Sequence, residues 1–138
     1  MIRLRWDRGW FLEDIMDEIR VNDLASRFAA ICGAAHVEAG EGIGARYQSD
    51  WLGKTASEPA IVVRPASTEE VAAGMKICAE TRTPVIPFGG NSGLASGTIA
   101  RAEDQVVKLS LERMNKVRRI DAPGRYMVAE AGCIVESL

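Results

Sequence analysis

A single histidine, three widely spaced cysteines, no excess of either charge and no long apolar run characterise this chain of 138 residues, and each shortage removes a class of function. Cys32, Cys78 and Cys133 form no CxxC pair and are odd in number, so neither a disulfide framework nor a zinc site is signalled and no metal is expected. Thiols without partners fit a reducing compartment, and cytoplasmic residence is the expectation. The 17 Lys and Arg against 19 Asp and Glu give a formal net charge of -2, so nothing draws the chain as a whole to nucleic acid or to an anionic membrane. No stretch has the apolar length that a bilayer needs. Asp7, Glu13 and Asp14 fall where a signal peptide would be uninterruptedly apolar. Neither a nucleic-acid partner nor a transmembrane segment is therefore expected.

What is present is the composition of one soluble globular domain, 47% hydrophobic and 26% charged. Residues 1 to about 20 place Phe11, Ile15 and Ile19 on one face of a short amphipathic helix, so residues 1–21 are expected to form an N-terminal helical extension. A second helix follows, with Leu24, Phe28 and Ile31 on one stripe behind the capping candidates Asn22 and Asp23, ended by Gly33. Residues 38–59, rich in glycine and polar residues, read as a loop or surface excursion anchored by Trp51.

From Ala60 the pattern changes. Ile61, Val62 and Val63 form a short β-branched run stopped by Pro65, and Ser67 with Glu70 makes a capping box. The helix that follows carries Val71, Met75 and Cys78 on its core face and must stop before Pro84, because a residue preceding proline is pushed out of the α region. A strand at Val85–Ile86 completes a βαβ unit, whose strands are parallel. The expected fold class is α+β with an α/β-like start: the βαβ unit, then mixed strands.

Directly after that strand, Pro87 to Gly97 holds four glycines in eleven residues. Glycine tolerates positive φ and lets the backbone come close to a ligand, so consecutive N–H groups can converge on phosphate oxygens without any cationic side chain. The loop lies at the C-terminal end of a parallel strand, the edge at which open α/β sheets bind ligands. A plain glycine-rich turn fits the composition as well. No Gly-Lys-Ser/Thr follows, and the order GGxxG is not GxGxxG, so neither a Walker loop nor the dinucleotide fingerprint is present. Beyond it, 105–111, 116–120 and 126–130 read as strands, with a turn at Asp121–Gly124 and a new helix opening at Ala131-Gly132-Cys133. Its abrupt end leads to the expectation that the domain is truncated at its C-terminal end.

The succession VVRPASTEEVAAGMKICAE, PVIPFGGNSGLASG, VVKLSLERMNKVRRID and MVAEAGC resembles the N-terminal half of the FAD-binding domain of the vanillyl-alcohol-oxidase-type (PCMH-type) flavoproteins. Within them it is most similar to the FAD-linked 2-hydroxy-acid dehydrogenases, which include D-lactate dehydrogenases and the glycolate oxidase flavoprotein subunit. The resemblance covers residues 22–138. It implies that Pro87, Gly89, Gly90, Asn91, Ser92, Gly93 and Leu94 wrap the FAD diphosphate, chiefly through backbone N–H groups, with the Ser92 hydroxyl as an extra donor. Ala131 and Gly132 resemble the strand end that passes the flavin or its ribityl chain. Two departures stand out: Ser96-Gly97 replaces a second glycine pair, and Asn91 stands where covalently flavinylated relatives carry histidine, so the implied FAD is non-covalent.

The resemblance implies dehydrogenation of a 2-hydroxy acid, with hydride passing to the flavin and a base taking the hydroxyl proton. The sequence offers no such base. His36 precedes the flavin motif and reads as structural, Glu130 as a solvated or paired carboxylate, Met75 and Cys78 as core, and no catalytic residue is assigned. Arg113, Lys116, Arg118 and Arg119 read as a solvated face, and Trp6 and Trp10 as packing or contact residues. Two readings stay open: the FAD-binding portion of an oxidoreductase, incomplete by itself, or a non-catalytic module that binds a nucleotide-like ligand or a partner chain. Missing neighbours to the last strands would leave strand edges uncovered and promote self-association or completion by a C-terminal partner.

Overall fold

The computed structural model describes residues 8–137, excluding the side chains of residues 8–14, 16 and 137. Trp6 lies outside the described residues, as do the side chains of Trp10 and Phe11.

The chain opens with one continuous helix, α1 (Arg8–Cys32), where the sequence suggested two. Asn22 and Asp23 cap nothing and sit exposed on its outer surface, while Leu24, Phe28 and Cys32, spaced by four, are buried in one stripe. The packing of that stripe outweighs the few tenths of a kcal/mol that Asn and Asp cost inside a helix. Ile15 and Ile19 are exposed. Gly33, at φ 86, ends the helix as its position suggested.

A strand the sequence reading missed, β1 (Val37–Ala39), comes next. Residues 40–60 then cross the sheet through 3-10 turns and return to β2 (Ile61–Val63), every residue of which is buried. α2 (Thr68–Thr81) starts at the expected cap: Ser67 Oγ accepts from Glu70 N at 3.2 Å, although Glu70 reaches back to Ala66 N at 2.7 Å. It stops at Arg82, in the left-handed region, one turn residue before Thr83-Pro84. Met75, placed on the core face by spacing, is exposed, and Gly74, Ile77 and Cys78 form that face instead. Gly74 is where the two helices meet, since a Cβ there would lie 3.3 Å from the Phe28 ring.

β3 (Val85–Phe88) and β4 (Val107–Ser110) complete a sheet of order β1-β2-β4-β3. β2 and β3 are parallel, but not to each other as neighbours: β4 lies between them, pairing Val62 with Lys108 and Ile86 with the same Lys108. β1 runs antiparallel along the outer side of β2. α1 and α2 cover one face, against Ile61, Val63, Val107 and Leu109. The 40–59 excursion covers the other, against Val62 and Phe88, through Ile43 and Tyr47. Trp51, expected to anchor this excursion, is 62% exposed, and Tyr47, 2% exposed, does so instead. A separate antiparallel pair, β5 (Val117–Asp121) and β6 (Tyr126–Ala129), follows with a bulge at Arg118. The helix expected from Ala131 is a turn followed by a single 3-10 turn at Val135–Ser137.

Candidate functional site at the carboxyl edge of the sheet

Because β2, β4 and β3 are parallel, their carboxyl ends open onto one edge. The glycine-rich loop leaves β3 at this edge. Pro87 is the exposed third residue of β3, Gly89 and Gly90 follow Phe88, and Ser92, Gly93 and Leu94 are exposed. The turn at Ala131 and Gly132 comes back to the same place: a Cβ on Gly89 would lie 4.0 Å from the Ala131 carbonyl, and one on Gly90 3.4 Å from Ile134 Cδ1. The two segments that the sequence assigns to one ligand are therefore neighbours.

The glycines act by bareness rather than by unusual torsion angles. Among the described residues the left-handed positions of this loop are Asn91 (φ 57) and Ser96 (φ 58), not the four glycines. Gly93 and Gly97 have nothing within 4 Å of an added Cβ, so the surface they present is open. The backbone N–H groups of Gly90, Asn91, Ser92, Gly93 and Leu94 donate to no group among the described residues. No Asp or Glu occurs between Pro87 and Arg101 to oppose an anion. The Asn91 side chain is turned inward: Nδ2 donates to Ser49 O at 3.2 Å, and Oδ1 accepts from Thr98 Oγ1 at 3.0 Å.

Beside the loop lies a charged cluster that sequence reasoning missed. Glu112, just beyond β4, accepts from Arg46 Nη1 at 2.5 Å and from the Tyr47 hydroxyl at 3.0 Å. Arg64, just beyond β2, pairs with Glu38 at 2.9 Å and donates to Ala35 O at 2.7 Å. Arg46 also lies over the Phe88 ring, 5.7 Å from its centroid. These residues are far apart in sequence and gather only because β2 and β4 end, and β1 begins, at the edge over which the excursion passes.

Beneath this edge Lys108 is fully buried in the middle of β4. Its Nζ donates to Tyr47 O at 2.6 Å and to Ser57 Oγ at 2.8 Å and lies 5.1 Å from the Phe88 centroid. Burial without a carboxylate partner lowers its pKa to about 8. The folded chain therefore releases this proton well before the unfolded chain does, and between about pH 8 and 10.5 stability rises as the unfolded state binds the extra proton. The gain is on the order of 3 kcal/mol and is absent below pH 8. Burial pushes Cys32 up to about 11, which acts in the opposite sense above the usual thiol range. The contribution of Lys108 is accordingly the difference between the native chain and Lys108→Met in urea denaturation at pH 7.5 and 10. Parallel pH profiles of the two would refute it.

The remaining candidates fall elsewhere. His36 precedes β1, at the side of the sheet opposite β3, and among the described residues only its backbone is engaged: its N–H donates to Gly33 O at 3.0 Å and its carbonyl accepts from Arg64 N at 2.9 Å. Glu130 is a paired carboxylate: it accepts from Lys116 N at 2.9 Å, which lowers its pKa, and meets Arg118 at 3.1 Å. Arg119 pairs with Asp121 at 3.0 Å and Arg113 donates to Arg64 O at 2.7 Å, so this basic run is spent on local contacts.

Comparison with known proteins agrees with this geometry. The family model described as FAD binding domain matches residues 59–138, from the end of the excursion through the glycine-rich loop and the Ala131–Gly132 turn. The chain belongs to this FAD-binding domain family. Curated relatives of the domain include the probable mitochondrial D-2-hydroxyglutarate dehydrogenase of Oryza sativa subsp. indica, 33% identical over 117 residues, which are 85% of this chain and 21% of that protein. The mitochondrial D-2-hydroxyglutarate dehydrogenase of Arabidopsis thaliana is 34% identical over 90 residues, 65% of this chain and 16% of that one. The chain thus spans about a fifth of the length of these relatives. Among solved structures, p-cresol methylhydroxylase with substrate bound superimposes with a TM-score of 0.69 at 25% identity, over 81% of this chain and 22% of that one. The α+β reading and the PCMH-type assignment both hold for this FAD-binding domain.

Proposed function

We propose that Pro87, Gly89, Gly90, Asn91, Ser92, Gly93 and Leu94, together with Ala131 and Gly132, hold the diphosphate and adjoining part of FAD, and that the chain is the FAD-binding portion of an oxidoreductase acting on 2-hydroxy acids. The observation that carries this reading is the run of five N–H groups at the carboxyl end of β3 that are unpaired among the described residues, in a loop that holds no Asp or Glu of its own. Such a run suits a diphosphate, whose oxygens accept several hydrogen bonds at once, and it needs no lysine. The dehydrogenase names of the relatives supply the substrate class. Bound FAD provides the hydride acceptor, and this chain's part is to bind and orient it. Attachment is non-covalent: residues 87–104 hold no His, Cys or Tyr, and the amide of Asn91 is neither nucleophilic nor turned outward. The unpaired thiols of Cys32, Cys78 and Cys133 support residence in a reducing compartment such as the cytoplasm.

A contact with another chain is a second reading, favoured by the exposed hairpin. Val117, Ile120 and Met127 are 41%, 71% and 40% exposed, and Ile120 pairs with Met127 on one face. Self-association through this face is compatible with FAD binding.

One experiment addresses both. The purified chain is incubated with FAD and passed over a gel-filtration column with light-scattering detection. Flavin absorbance is expected to co-elute with protein and to be released on denaturation, in a species larger than a monomer. A folded chain that elutes free of flavin sinks the FAD assignment, flavin that survives denaturation on the chain sinks the non-covalent one, and a monomeric mass sinks self-association.

A further inference from the structure

Lys108 has no carboxylate partner among the described residues and is fully buried in a strand where an apolar side chain would carry a lower desolvation cost. What it holds gives it a role. Ser57 Oγ, which Lys108 Nζ approaches at 2.8 Å, also accepts from Ala100 N at 2.9 Å, and Glu58 N donates to Ala100 O at 2.9 Å. The excursion and the segment 98–100 are thereby zipped together over the sheet. Two residues upstream, Thr98 Oγ1 donates to Asn91 Oδ1, and Asn91 Nδ2 donates to Ser49 O. Ser49 belongs to the same excursion, whose Tyr47 carbonyl is the second acceptor of Lys108. Hydrogen bonds, joined by the short stretches of backbone 98–100 and 47–49, form a path from the centre of the sheet to the middle of the glycine-rich loop and back to Lys108.

We infer that Lys108 is a positioning residue for the glycine-rich loop, acting through Ser57, the segment 98–100 and Asn91. Asn91 is held at φ 57, a conformation that asparagine adopts more readily than most residues but that has to be fixed from outside. It stands in the middle of the unpaired N–H run, so whatever fixes it fixes the donors on either side. Thr98 and Ser49 supply the fixing bonds, and Lys108 and Ser57 keep the segments bearing them in place. Val62 and Ile86, its neighbours in the sheet, carry no charge, so the lysine has no competing partner there.

The inference rests on the reading of this loop as a diphosphate cradle, and its test separates the two. Backbone 15N order parameters of residues 90–97 are measured on the full chain without FAD, and FAD affinity is measured by flavin fluorescence, for Lys108→Met, Ser57→Ala, Thr98→Val and Thr98→Ser. Expected is a fall of the loop order parameters from about 0.85 toward 0.6 or below in Thr98→Val and Ser57→Ala, with recovery in Thr98→Ser, which keeps the hydroxyl and loses only a methyl. FAD affinity is expected to fall about 10-fold in each of Lys108→Met, Ser57→Ala and Thr98→Val, and by no more than that in the double variant Lys108→Met with Thr98→Val, because members of one path do not add. Should Lys108→Met fail to fold, Thr98 and Ser57, at the loop end of the path, still decide. Equal disorder in Thr98→Val and Thr98→Ser overturns the inference, as do additive losses in the double variant. Order parameters that move as stated in a chain that never takes up FAD uphold the positioning path and overturn the cradle reading alone.

Discussion

Gly132→Ala is expected to cost about 3 kcal/mol or more and to lower the melting temperature by about 10 °C, the largest effect of a methyl added at any of the described glycines. Gly132 is buried in the turn after β6, and its N–H donates to Met114 O at 2.8 Å. A Cβ built there falls 1.8 Å from the Leu111 carbonyl oxygen and 2.9 Å from the Met114 carbonyl oxygen. Both obstacles are backbone, immediately beyond β4, so no side-chain rotation relieves the overlap and either the turn or the end of the central strand has to shift. The hydrogen bond that seats the turn would be lost with it. Thermal denaturation by circular dichroism checks the result against Gly93→Ala, where an added Cβ meets nothing within 4 Å and the change should stay within about 0.5 kcal/mol. Similar melting temperatures for the two variants would show that the turn is not packed as described.

Gly90→Val is expected to weaken FAD binding at least 100-fold, about 2.7 kcal/mol, while leaving the far-ultraviolet spectrum unchanged. Gly90 does not require a positive φ, so a valine backbone is permitted there. A single Cβ would already touch Ile134 Cδ1 at 3.4 Å, and two further carbons fill the surface between the loop and the Ala131–Ile134 turn. The variant therefore closes the concavity that the N–H run presents without straining the fold. Flavin fluorescence titration of the two proteins measures the loss, and an affinity within twofold of the native chain would remove this loop from the cofactor site.

Locally encoded features were legible in the sequence. The cap at Ser67, the stop at Gly33 and the βαβ succession depend on residues within a few positions of one another, and each stands where the pattern placed it. The order of the strands does not, because pairing Ile61 with Val107 joins residues 46 positions apart and no local signal announces it. The same holds for Lys108: a charged residue within a strand run suggests an exposed face, and only the position of β4 between two other strands buries it. Apolar residues at 106, 107 and 109, on both sides of the lysine, were the available hint. Trp51 and Tyr47 show the limit of reading aromatic residues by size, since the anchor was the smaller ring, which has Glu112 to satisfy its hydroxyl. In the loop, the glycines do not supply the positive torsion angles that the sequence suggested: openness comes from Gly93 and Gly97, whereas the left-handed turns come from Asn91 and Ser96.

The insertion of β4 between β2 and β3 also sets the order in which the domain can be born. As the chain leaves the ribosome, α1, β1, β2, α2 and β3 all emerge before residue 107, yet among them only β1 and β2 share a ladder. The apolar residues of β2 and of both helices must wait, partly uncovered, until the central strand arrives to join the halves. Closure of that long loop is the slow event expected of non-local parallel pairing. Throughout that interval the nascent chain presents apolar surface and an unpaired strand edge of the kind that invites association with other chains.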